Sequence, residues 1–104
     1  MLLKKYNLNN QYIKFKLPIL KESYLIRWNP KSRTIIHSHN GKQCDFMILS
    51  GKLFECIYNN NDIVSLKNTR DLKPYKKYSI NDSIGYHQVF NFSDKRQWSI
   101  HRYY

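Results

Sequence analysis

Helical periodicity is not sustained anywhere along this chain; apolar residues recur instead in short runs separated by turn signals. Residues 11–17 alternate, with Tyr12, Lys14 and Lys16 on one side and Ile13, Phe15 and Leu17 on the other, the period of a half-buried strand. Residues 24–28 form a second run, closed by the turn signal Asn29-Pro30. Residues 33–39 are β-branched and extended, and Asn40-Gly41, the favoured type I′ hairpin dipeptide, leads into a strand over 43–49. Ser50-Gly51 turns, 52–58 returns, and 63–66, 77–80, 84–92 and 96–104 follow as further strands. Residues 68–76 read as an irregular polar connection, and residues 1–10 as a loose lead-in or short helical remnant. Strands at intervals of about 8–12 residues predict an all-β barrel or sandwich with little helix.

A chain of 104 residues supports one domain, spanning 1–104, and no repeat or linker argues for a second. Its formal charge of +11 would suit a polyanion. The lysines are nevertheless scattered from Lys4 to Lys95 among Asn, Ile and Tyr, a compositional bias without a basic patch. No nucleic-acid partner is expected, although the charge would steer anionic small molecules. No apolar run approaches the roughly 18–20 residues of a membrane span. Met1-Leu2-Leu3-Lys4-Lys5 does not open a secretory signal. Two cysteines in that context suggest free thiols in a cytoplasmic, monomeric protein.

The chemistry concentrates in the histidines. His37 and His39 are two residues apart, so on an extended segment both imidazoles point the same way, roughly 6–7 Å apart. Such a pair can ligate one metal ion. His87 sits on a late strand and His101 on the last, where Tyr103 shares its face.

The spacing His37-x-His39, Cys44, Gly51 resembles the first cupin motif, and His87-Gln88-Val89-Phe90-Asn91 resembles the second. Where that first motif carries a glutamate, this chain has Gln43 and Cys44. Cysteine at this place resembles cysteine dioxygenase, the thiol dioxygenase branch of the cupins. The runs His37 to Cys44, Leu49 to Glu55, Ile80 to Asn91 and Ser99 to Tyr103 are similar to that family without a gap, and the likeness covers about Trp28 to Tyr103.

The resemblance implies a small cupin-type β-barrel, a double-stranded β-helix or jelly roll, holding Fe(II) on His37, His39 and His87. It implies a thioether cross-link between Cys44 and Tyr103, a hydrogen bond from His101 to the tyrosine hydroxyl, and Ser99 as the outer member of that relay. It also implies the reaction: both atoms of O2 are added to a small-molecule thiol, L-cysteine to cysteine sulfinic acid. Three neutral imidazoles leave the ion its full charge, where a carboxylate would offset part of it. That charge favours binding of a thiolate.

The chain departs from the family at the substrate carboxylate. An arginine in a Tyr-x-Arg run is matched here by Tyr12-Ile13-Lys14, and lysine lacks the bidentate fork. Arg27 is a second candidate cation. The domain is also short at both ends relative to the family. Two alternatives stay open on the residues: Cys44 as a fourth ligand in a closed zinc-like site, and a catalytically degenerate metal-binding cupin acting as a sensor or binding module.

Overall fold

A computed structural model describes residues 4–8, 11–59 and 62–104. Among them are ten strands: β1 (Lys4–Leu8), β2 (Tyr12–Lys16), β3 (Ser23–Trp28), β4 (Ser32–Arg33), β5 (Cys44–Ile48), β6 (Leu53–Asn59), β7 (Asp62–Leu72), β8 (Lys77–Ile80), β9 (Tyr86–Asn91) and β10 (Gln97–Tyr103). They pair antiparallel throughout. One sheet runs β1-β2-β3-β10-β5-β8 and the other β4-β9-β6-β7. No helix occurs among the described residues, so none is long and apolar enough to cross a membrane.

The core lies between the sheets and is built from alternate residues of each strand. Cys44, Phe46 and Ile48 face inward from β5, Leu53, Glu55 and Ile57 from β6, and His87, Val89 and Asn91 from β9. Gln97, Ser99 and His101 do so from β10. Trp28, Ile48, Leu72 and Ile80 are the largest apolar side chains among those fully buried. The same inward rows therefore carry both the packing and the chemistry.

Three expectations change. Residues 4–8 form β1, paired with β2 from Lys4↔Lys16 to Leu8↔Tyr12, instead of a lead-in or helical remnant. The rest of 1–10 lies outside the described residues. The connection expected over 68–76 is largely strand: β7 continues to Leu72 against β6. Leu66, Lys67, Asn68 and Thr69 are exposed, so backbone pairing extends this edge strand without an apolar alternation to mark it. The strand expected over 33–39 ends at Arg33. Beyond it, Thr34 exchanges bonds with Val89, its N–H to Val89 O at 2.9 Å and its Oγ1 accepting Val89 N–H at 3.0 Å. Regular pairing resumes only at the His37↔His87 bridge.

The Asn40-Gly41 turn forms as expected. Both residues have positive φ, 52° and 81°, and Lys42 N–H donates to His39 O at 2.9 Å, the type I′ pattern. Gly85 meets a harder constraint: its φ is 144° and an added Cβ would stand 2.3 Å from Tyr58 O. Gly85→Ala should cost about 3 kcal/mol in urea denaturation, from strained φ/ψ plus displaced backbone. Gly41→Ala, with open space around it, should cost about 1 kcal/mol.

Candidate metal centre

The bridge that ends the 33–39 excursion builds the site. His37 and His87 exchange both backbone bonds at 3.0 Å, which brings their ring centroids to 4.4 Å. His39 follows two residues on, at 5.4 Å from the His37 ring and 4.7 Å from the His87 ring. Its position is clamped by Asp82, whose carboxylate accepts His39 N–H and Gly41 N–H, each at 2.9 Å. One ring nitrogen of each histidine lies within 4.8 Å of the other two.

Hydrogen bonding decides which nitrogens are available. His37 Nδ1 donates to Ile35 O at 2.8 Å, and His87 Nδ1 donates to Glu55 Oε2 at 2.7 Å. Each Nε2 is thereby left with a lone pair, and the two Nε2 atoms stand 2.9 Å apart. Two acceptors this close repel unless a cation lies between them. His39 Nδ1 is buried with no partner among the described residues. Burial, reinforced by the neighbouring His87, pushes the His37 pKa down to about 4 and that of His39 to about 3. Both are therefore neutral near pH 7, the form that ligates metal. The three residues fit a divalent ion.

A cavity of about 310 Å³ opens over this triad, lined among others by Tyr12, Lys14, Tyr24, His101 and Tyr103. Cys44 and Tyr103 are register partners across β5 and β10. Their neighbours Gln43 and Tyr104 exchange both backbone bonds, at 2.7 and 2.9 Å. Cys44 and Tyr103 are therefore a non-hydrogen-bonded pair, the kind whose side chains approach more closely. Burial raises the Cys44 thiol to about 12 against a hydrogen bond with Tyr103, and raises the Tyr103 hydroxyl well above its usual value.

A relay backs this pair. Trp28 Nε1–H donates to Ser99 Oγ at 2.8 Å, and Ser99 Oγ lies 2.7 Å from His101 Nε2. His101 Nδ1 then faces Cys44 Sγ at 3.7 Å. The resemblance implied a bond from His101 to the Tyr103 hydroxyl; the ring is turned to the sulfur instead, stacked on Phe46 at 5.1 Å. The tyrosine hydroxyl accepts from Lys14 Nζ at 3.4 Å.

Tyr12 and Lys14 both line the cavity, and burial lowers the lysine pKa. Lys14 also lies over the rings of Tyr24 and Tyr103, at 4.6 and 4.9 Å. Arg27 does not reach the site. Ile26 and Trp28 line the cavity, so alternation sends Arg27 to the opposite face of β3, in register with Ile13 and Trp98. Cys44 does not join the metal-binding group, which among the described residues is His37, His39 and His87. Glu55 escaped the sequence reading. Its signal was a charge at the inward position between Leu53 and Ile57.

The family model for cysteine dioxygenase type I matches residues 10–104. The chain belongs to the cysteine dioxygenase family. No curated protein matches it. Among solved structures, Drosophila melanogaster CENP-C bound to CAL1 is similar at 12% identity and a TM-score of 0.77, covering 98% of this chain and 76% of that one. AerE from Microcystis aeruginosa reaches 0.75 at 16% identity, covering 95% and 44%. Oxalate oxidase in complex with the substrate analogue glycolate reaches 0.65 at 14%, covering 93% and 43%. At such identities the likeness shows the fold, and that fold is the expected cupin jelly roll. This member of the cysteine dioxygenase family is thus an all-β cupin with three histidines placed to hold a metal.

Proposed function

We propose that this protein is a cytoplasmic non-haem Fe(II) thiol dioxygenase that converts L-cysteine to cysteine sulfinic acid. The observation that carries the reading is the pairing of Cys44 with Tyr103 across β5 and β10, with Tyr103 and the three clustered histidines lining one cavity. The reaction balances without a further reductant: a thiol and one O2 give the sulfinic acid, sulfur losing the four electrons that dioxygen gains. Iron held by His37, His39 and His87 would supply a Lewis-acid centre able to bind a thiolate and activate dioxygen.

The chain's own residues do the rest. Lys14, partly buried and pointed at the Tyr103 hydroxyl, would bind the substrate carboxylate as a point charge. The Tyr103 hydroxyl, whose proton burial retains, would donate to substrate or to the oxygen being transferred. Tyr12 and Tyr24 wall the cavity.

Iron-loaded protein incubated aerobically with cysteine should consume oxygen and yield cysteine sulfinate. Neither product nor uptake, with iron still bound, would leave a metal-binding cupin without catalysis. The same assay with 3-mercaptopropionate and cysteamine separates carboxylate from amine recognition. Lys14→Met should raise KM for cysteine and 3-mercaptopropionate about tenfold or more, the worth of a lost charged hydrogen bond. Cysteamine, with no carboxylate, should be unaffected.

A further inference from the structure

Glu55 has no part in the thiol chemistry above, yet it is the most completely enclosed charge near the site, with 0% of its surface exposed. Its oxygens are divided between two partners. Oε2 accepts His87 Nδ1–H at 2.7 Å, and Oε1 accepts Arg70 Nε–H at 2.5 Å. Arg70 is its register partner on β7. The guanidinium also donates from Nη2 to Ser79 O on β8 at 3.1 Å and lies 5.5 Å from the Tyr78 ring centroid.

Strands β7 and β8 are edges of the two sheets. Arg70 therefore ties one sheet edge to the other, with Glu55 as the inner end of the strut. A carboxylate held on one oxygen by a charged donor cannot swing away from the other. Being an acceptor only, it places the His87 proton on Nδ1 and the lone pair on Nε2, toward His37. The three histidines differ in this respect. His37 Nδ1 has a neutral backbone carbonyl, and His39 Nδ1 has no partner among the described residues. His87 alone of the three has an anionic partner at Nδ1.

We propose that Glu55, oriented by Arg70, is a positioning residue that fixes His87 as an Nε2 ligand and sets how tightly the centre holds a divalent cation. An anionic acceptor on Nδ1–H orients the ring and makes the opposite nitrogen a stronger donor. The proposal rests on the metal reading above but not on dioxygenase activity.

Two measurements test it. Long-range proton–nitrogen NMR on the metal-free wild-type protein should show His87 protonated at Nδ1; a proton on Nε2 overturns the proposal. Cobalt(II) titration, followed by visible absorption against a competing chelator, should show binding weakened about 10–100-fold by Glu55→Gln. That substitution also strands Arg70, so its metal-free melting temperature should fall. Adding Arg70→Met removes the stranded charge and should restore melting but not cobalt affinity. A purely structural ion pair predicts that affinity follows stability: a double variant that melts and binds cobalt like wild type overturns the proposal alone. Wild-type protein that takes up no cobalt overturns the metal reading with it.

Discussion

His87→Ala should purify with almost no iron, its affinity falling by at least about a hundredfold, beyond the loss typical of an outer partner of a metal ligand. His87 is the hub of the centre: its ring faces both other histidines, and its backbone forms the bridge that delivers His37. Alanine leaves that backbone bridge in place, so His37 and His39 should stay near their positions while the third donor is gone. The change also removes one donor from buried Glu55, which keeps Arg70. A loss of about 1–3 kcal/mol in stability should follow. Metal content per chain by elemental analysis, read beside the melting curve, checks both parts. A folded variant that retains one iron per chain would contradict the three-histidine centre.

Cys44→Ser should abolish any covalent link to Tyr103. Wild-type protein exposed to iron, thiol and air should run as a doublet on denaturing gels. Its cross-linked form should have an intact mass two hydrogens below the calculated value. Sulfur gives up its hydrogen and the tyrosine ring one of its own, a sulfur–carbon bond forms, and dioxygen accepts the two electrons and two protons. The register is what makes this local: the two side chains face each other directly across β5 and β10. Cys44→Ser keeps a small hydroxyl in that place and should give one band at the calculated mass. A persisting doublet would assign it to something other than this pair.

Much of the site was legible because its clues are local. The His-x-His pair, the cysteine in place of the cupin glutamate and the Ser99-His101-Tyr103 series all lie within single extended segments. Asn40-Gly41 was readable for the same reason, since positive φ at both positions is a property of the dipeptide. What failed depended on pairing between distant segments. Arg27 was a plausible cation until the phase of β3 was set by Ile26 and Trp28 inside the barrel. In a strand, a shift of one residue exchanges the two faces, and only the neighbouring strands choose between them.

The sequence by itself determined an all-β chain of short strands, because alternation and turn chemistry are written over a few residues, while the three-histidine set and the cysteine–tyrosine pair came from the resemblance to the family. The tertiary structure alone decided that Arg70 reaches Glu55 from an adjacent strand and that Glu55 reaches His87 from another. It also turned His101 to the sulfur and set Lys14 in the cavity lining. Those contacts join residues far apart in the chain, and the geometry that creates them exists only once the two sheets have closed around a common interior.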